Sequence, residues 1–69
     1  MEIEIRLKEL LKDLNMEQRE LAELTGLSSR TISELVNNKI ERLPKTALTK
    51  IAIALEIDDI RQLIDFKNE

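Results

Sequence analysis

Apolar residues recur at helical spacing along most of this chain. Four leucines near the start stand at positions i, i+3, i+4 and i+7 and predict a first helix with one apolar stripe. They are Leu7, Leu10, Leu11 and Leu14. Residues 1–5 before them alternate between apolar and acidic side chains. That period of two fits either a short strand or the first turn of the helix.

Two further helices are predicted close together in the middle of the chain. The second runs from about Glu17 to Thr25, and the third runs over residues 29–37. Gly26 follows the second helix, where a left-handed residue commonly ends a helix. Ser28 suits the N-cap of the third helix. Asn37 and Asn38 end it, because asparagine tolerates a positive φ.

The last third of the chain predicts two more helices. Pro44 suits the first turn of a fourth helix that reaches about Leu55. Asp58 is the expected N-cap of a short fifth helix, which carries its apolar residues near the end of the chain. Those residues are Ile60, Leu63 and Ile64. The pattern therefore predicts an all-α, compact five-helix fold, and a length of 69 residues allows a single domain over 1–69.

Composition excludes most catalytic chemistry. The chain has no cysteine and no histidine, which excludes ordinary zinc sites, disulfides, thiol nucleophiles and histidine-based triads. We expect no enzyme activity, no cofactor and no metal. No run of about 18 apolar residues occurs, and the first residues are acidic where a signal peptide is basic. We therefore expect a cytoplasmic protein with no membrane partner.

The charge is unevenly distributed. The formal net charge is −3, which by itself argues mildly against a nucleic-acid partner. Residues 28–50 nevertheless hold five basic and two acidic side chains, whereas residues 51–69 hold two basic and five acidic ones. The predicted third helix and the loop after it are therefore basic, and the end of the chain is acidic.

The four residues between the second and third helices have the length of the turn in a helix-turn-helix. Residues 18–28, 31–33 and 37–39 resemble the Cro/CI repressor-type, or XRE-like, helix-turn-helix proteins, and residues 47–57 are similar to the helix that follows in that family. The resemblance covers roughly residues 5–65. It implies a lambda-repressor-like DNA-binding domain and a transcriptional regulator, commonly a repressor of phage or mobile-element origin. Such proteins bind palindromic operators in double-stranded DNA as homodimers.

The resemblance also implies roles for individual residues. The third helix is expected to lie in the major groove and to present side chains near its N-terminus to the bases. The residues expected to read bases are Ser29, Arg30 and Ser33. The residues expected to contact the DNA backbone are Gln18, Thr31, Asn37, Lys39 and Arg42. Arg30 is the main candidate for specificity, because its guanidinium can bridge guanine O6 and N7.

Several residues depart from the family pattern. Asn38 stands where a glycine is usual, and Glu34 puts a negative charge on the outer face of the third helix, four residues after Arg30. That spacing allows the two to pair, which either restrains Arg30 or competes with DNA for it. Leu24 and Ile53 are apolar where the family is usually polar.

These departures support an alternative function. The same fold could serve as an antirepressor-like or antitoxin-like module that sequesters another regulatory protein or a toxin. The expected dimer or partner interface comprises Leu24, Ile53 and Phe66. For a homodimer, the C-terminal helix that carries Phe66 is the first choice, and a strand from Met1 to Ile5 that pairs between copies is the second.

Overall fold

A computed structural model describes residues 2–42 and 44–67. Four short α-helices follow an N-terminal strand, and a single 3₁₀ turn precedes a second strand. In chain order the elements are β1 (Glu2–Ile5), α1 (Leu7–Asp13), α2 (Gln18–Thr25), α3 (Ser29–Val36), α4 (Lys45–Ala54), the 3₁₀ turn (Ile60–Gln62) and β2 (Ile64–Lys67). Among these residues no helix is long and apolar enough to cross a membrane.

The expectation of an all-α fold is wrong at both ends of the chain. β1 and β2 form a two-stranded antiparallel sheet in which Ile3 lies opposite Phe66 and Ile5 lies opposite Ile64. The period of two in residues 2–5 therefore marks a strand, and Met1 lies outside the described residues. Phe66 belongs to β2 and not to a C-terminal helix.

The predicted fifth helix is reduced to one 3₁₀ turn. Asp59, and not Asp58, caps it, since the Asp59 carboxylate accepts a hydrogen bond of 3.0 Å from the Arg61 backbone N–H. The Arg61 guanidinium lies 2.8 Å from the same carboxylate, and this hydrogen bonding lowers the pKa of Asp59 to about 2. After the turn the chain pairs with β1 instead of continuing as a helix, so the spacing of Ile60, Leu63 and Ile64 does not mark a helical face.

The predicted ends of the middle helices are confirmed. Gly26 has a φ of 74° and ends α2, and Asn38 has a φ of 56° just beyond α3. Pro44 lies at the N-cap of α4, one position before the first turn that was predicted for it. The leucine stripe of the first helix is correct only in part, because α1 ends at Asp13 and leaves Leu14 48% exposed.

Six aliphatic side chains are fully buried in the core. Each α-helix supplies at least one of them, and one follows the 3₁₀ turn: Leu7, Leu21, Ile32, Leu35, Ile51 and Leu63. α2 packs against both α3 and α4, and α1 also contacts α3. The inner face of α3 is thereby fixed against α1 and α2, which determines the direction of its outer face.

Asn38 connects the end of α3 to β1. Its side-chain Oδ1 accepts a hydrogen bond of 2.8 Å from the Ile5 N–H, and its Nδ2 donates one of 3.0 Å to the Ile5 carbonyl. Both backbone groups of Ile5 point away from β2, so the amide takes the place of a neighbouring strand at this edge. Asparagine satisfies two demands here, since it also tolerates the left-handed backbone.

Replacing Asn38 by glycine separates these two roles. Glycine retains the left-handed backbone but removes both hydrogen bonds to Ile5, which we expect to lower the free energy of unfolding by about 1–3 kcal/mol. Urea denaturation followed by circular dichroism measures this loss. An Asn38→Gly variant as stable as the original chain would show that the two hydrogen bonds contribute nothing.

Candidate nucleic-acid interface

The turn between α2 and α3 is held by one buried hydroxyl and one glycine. The Thr25 hydroxyl donates to the Leu21 carbonyl at 2.7 Å and accepts from the Leu27 N–H at 3.2 Å. Gly26 donates its N–H to the Ala22 carbonyl at 2.9 Å. A Cβ at Gly26 would meet no atom within 4 Å, so the left-handed φ alone explains why glycine suits this position.

Ser28 fixes the first turn of α3. Its Oγ accepts a hydrogen bond of 3.1 Å from the Thr31 N–H, as predicted for an N-cap. The Ser28 hydroxyl also donates to Thr31 Oγ1 at 2.9 Å. The half-buried Thr31 side chain is therefore engaged at the helix start and is not held out toward solvent with Arg30.

α3 has one face in the core and one toward solvent. Ile32, Leu35 and Val36 are buried. The opposite face, here called the α3 outer face, carries polar side chains that are exposed or half-buried. They are Ser29, Arg30, Ser33, Glu34 and Asn37. All three residues predicted to read bases thus belong to one continuous surface.

Arg30 and Glu34 form an ion pair on the α3 outer face. The Arg30 Nε lies 3.1 Å from Glu34 Oε1, and the Arg30 side chain is 90% exposed while that of Glu34 is 41% exposed. The pairing predicted from their spacing is confirmed. Since Glu34 engages Nε, the two terminal amino groups of the guanidinium remain without a partner among the described residues. Those amino groups can still form two parallel hydrogen bonds with a guanine edge.

A second side-chain pair, Ser33 and Asn37, lies about one helical turn further along the α3 outer face. Asn37 Nδ2 donates to the Ser33 carbonyl at 2.9 Å and to Ser33 Oγ at 3.3 Å. The Asn37 Oδ1 still has acceptor capacity, and the Ser33 hydroxyl still has a proton to donate. The two pairs hold four polar side chains of this helix in defined positions.

A basic depression of about 610 Å³ adjoins the C-terminal end of α3. Its walls bring Lys8 and Lys12 of α1 together with Gln18 and Arg19 of α2, and Asn37 borders it from the end of α3. Glu17 supplies the one carboxylate among its lining residues. We call this feature the α1–α2 groove, and its three cations suit an anionic ligand such as a phosphate.

The sequence predicted only part of the α1–α2 groove. Gln18 and Asn37 were expected to contact the DNA backbone, and the structure brings them to the same depression. Lys8, Lys12 and Arg19 were missed. The signal for the first two was their spacing of four residues, which places both lysines on one face of α1. The other expected backbone contacts, Lys39 and Arg42, are exposed in the segment after α3 and do not border the groove.

The predicted partner residues divide between two surfaces. Leu24 and Ile53 are 60% and 73% exposed and line one shallow depression of about 200 Å³, together with Lys50. Phe66, by contrast, lies on β2 opposite Ile3, and these two side chains are 54% and 56% exposed. The structure therefore offers two apolar patches, the Leu24–Ile53 patch and the Ile3–Phe66 patch.

One comparison with known proteins identifies the family. A family model described as the Cro/C1-type HTH DNA-binding domain matches residues 6–69. The match includes all four helices, the α3 outer face and the residues of the α1–α2 groove. No curated protein and no solved structure matches the chain.

Replacing Ser28 tests how the start of α3 is held. Ser28→Ala removes the N-cap acceptor, and we expect a loss of about 1 kcal/mol in the free energy of unfolding. Ser28→Asp is the matched control, because its carboxylate can accept the same hydrogen bond from the Thr31 N–H. Equal stability of the alanine and aspartate variants in urea denaturation would contradict a capping role for Ser28.

Proposed function

We propose that this chain, which belongs to the Cro/C1-type helix-turn-helix DNA-binding family, is a transcriptional repressor that binds a palindromic operator as a dimer. The observation that carries the proposal is the α3 outer face. There Arg30 is held by Glu34 with its terminal amino groups directed to solvent, on the second helix of a helix-turn-helix. Repression follows if the bound operator overlaps the site where transcription starts.

Sequence reading is assigned to Arg30, Ser29 and Ser33. In a helix-turn-helix the second helix enters the major groove with its N-terminal residues against the base edges. Arg30 then donates two hydrogen bonds to O6 and N7 of a guanine. The two serines can both donate and accept, so they add contacts that discriminate less between bases.

Backbone contacts are assigned to both ends of the interface. Gln18 and Asn37 lie at the α1–α2 groove, where Lys8, Lys12 and Arg19 supply the positive charge that attracts a phosphate. Lys39 and Arg42 extend the basic surface beyond α3. The Thr31 hydroxyl accepts from Ser28 but still has its own proton to donate, and it is proposed as a further contact near the start of α3. Such contacts fix the position of the domain on DNA without reading its sequence.

A palindromic site follows from the small size of one reading surface. One α3 helix reaches only a few base pairs, and two copies related by a two-fold axis read two inverted half-sites about one helical turn apart. The second copy doubles the number of base contacts and the number of phosphates that are neutralised. A homodimer is therefore part of the proposal.

A second candidate function rests on the Leu24–Ile53 patch. Both side chains are more than half exposed and adjoin each other across α2 and α4. Adjacent exposed apolar residues favour contact with another protein. In this alternative the domain acts like an antirepressor or antitoxin and sequesters another regulator or a toxin through that patch.

Selection from a random pool of double-stranded DNA distinguishes the two functions. The full chain is incubated with the pool at low and at near-physiological salt, and the bound sequences are determined. Enrichment of an inverted repeat at both salt concentrations supports the operator reader. A folded, helical protein that enriches no sequence would contradict it and favour the protein-binding module.

Arg30→Ala tests the reading role on the selected operator. Loss of a bidentate contact to guanine is expected to cost about 1–3 kcal/mol of binding free energy per half-site and to relax preference at one base pair of each half-site. Lys50→Gln, which removes one positive charge beside the Leu24–Ile53 patch, is the control and should leave the preference unchanged. If the Arg30→Ala variant keeps both affinity and selectivity, Arg30 does not read bases.

Lys12→Gln tests the α1–α2 groove through salt dependence. Each lost phosphate contact lowers the slope of log affinity against log salt by about one, so a dimer should lose about two. The sequence preference should stay the same, because the groove contacts no bases. A slope equal to that of the Lys50→Gln control would exclude Lys12 as a phosphate contact.

A further inference from the structure

We propose that two copies of this chain associate by antiparallel pairing of β2 with β2, centred on Phe66, into a continuous four-stranded sheet. The inference deepens the proposed function, on whose requirement for two copies it rests. Its support comes from the difference between the two outer edges of the sheet, from the like charges that other registers would place opposite each other, and from the Ile3–Phe66 patch.

The hydrogen-bonding pattern shows which residues face the outer edges of the sheet. Arg6 donates its N–H to the Leu63 carbonyl at 2.7 Å, so this pair is a hydrogen-bonded one. Because hydrogen-bonded and non-hydrogen-bonded pairs alternate, the pairs Ile5–Ile64 and Ile3–Phe66 are of the second kind. Their backbone groups therefore point outward, toward any strand added at an edge.

The outer edge of β1 is partly closed. Asn38 already takes both outward backbone groups of Ile5, at 2.8 and 3.0 Å. A partner strand at this edge could add hydrogen bonds at Ile3 but would have to displace the Asn38 amide to continue. Symmetric pairing about Ile3 would also place Glu2 opposite the partner's Glu4, which is unfavourable for two like charges.

Within residues 2–42 and 44–67, no other element bonds to the outer edge of β2. There the Phe66 N–H donates only to the carboxylate of the preceding residue, Asp65 Oδ1, at 2.7 Å. This local contact satisfies the donor while the chain is alone, as side chains often do at exposed strand edges. On pairing, the Phe66 N–H donates to the carbonyl of the partner's Phe66, and the Asp65 carboxylate is released.

The charges of Asp65 and Lys67 favour one register for the pairing of β2 with the partner's β2. With the two-fold axis at Phe66, Asp65 lies opposite the partner's Lys67, and Lys67 lies opposite the partner's Asp65. Both are non-hydrogen-bonded pairs, in which side chains approach most closely, with Cα atoms about 4.5 Å apart. A shift of the axis to Asp65 would instead oppose two carboxylates. The favoured register therefore forms two ion pairs, and the released Asp65 takes part in one of them.

The same arrangement covers the Ile3–Phe66 patch. Ile3 and Phe66 share one face of the sheet with the more deeply placed Ile5 and Ile64, but they extend beyond the core and are each more than half exposed. In the paired sheet the two Phe66 side chains become neighbours, with an Ile3 on either side. Four exposed apolar side chains thus become one cluster across the two-fold axis.

Charge variants test the register without DNA. The molecular mass of the full chain is measured by sedimentation at increasing concentration. The original chain is expected to form dimers, and Asp65→Lys or Lys67→Asp should each weaken association about tenfold, because both cross-strand pairs become repulsive. An equal mixture of the two variants should recover association as a heterodimer, since each strand then opposes one of opposite charge.

A proximity measurement supports or overturns the same inference independently of affinity. The chain has no cysteine, so Phe66→Cys introduces a single thiol at the two-fold axis. Paired Cα atoms at a hydrogen-bonded position lie about 5.5 Å apart, within disulfide range, and oxidation should give a covalent dimer. Leu24→Cys, on the other apolar patch, is the control and should remain mostly unlinked.

Each outcome has a definite meaning. A chain that stays monomeric at all concentrations, single charge variants that dimerise like the original chain, or faster linkage of Leu24→Cys than of Phe66→Cys would overturn β2 pairing. Circular dichroism shows whether each variant retains its helices. A β2-paired dimer that selects no DNA sequence would contradict only the proposed function. A dimer that selects an operator but does not cross-link through Phe66→Cys would contradict only this inference.

Discussion

Burial of the inner face of α3 is the constraint on which the rest of the molecule depends. An isolated helix of eight residues is not stable in water, so α3 exists because Ile32 and Leu35 are fully buried against the other helices. Once that face is fixed, the direction of Arg30 and Ser33 is fixed as well. The core thus performs two tasks with the same contacts, since it stabilises the domain and orients its α3 outer face.

Local sequence signals predicted the four α-helices well, but they predicted a fifth helix in place of the 3₁₀ turn and missed the sheet. Gly26, Ser28 and Asn38 act through the backbone of their own neighbourhood, so their effects can be read without knowledge of the fold. β1 and β2 are four residues each and come from opposite ends of the chain. The spacing of apolar residues near β2 also fits a helix, and only pairing with β1 decides between the two.

In the candidate nucleic-acid interface, too, features within one helix could be predicted and features between helices could not. The Arg30–Glu34 pair was predictable because both residues lie on one helix, four positions apart. The α1–α2 groove was missed in part because its cations come from two helices, and their proximity depends on how those helices pack. The net charge did not indicate this basic groove, because it sums over the whole chain. The chain carries −3 overall, yet three cations and one carboxylate line the groove that adjoins α3.

The contact between Asn38 and Ile5 couples the local unfolding of two parts of this domain. Its two hydrogen bonds join residues 33 positions apart, so β1 cannot leave the domain without also freeing the segment that ends α3. These two regions therefore form one cooperative unit for local unfolding, although they are distant in sequence. Exchange of the Ile5 amide hydrogen with solvent consequently reports on the integrity of α3, and ligands that stabilise that helix slow exchange in the N-terminal strand.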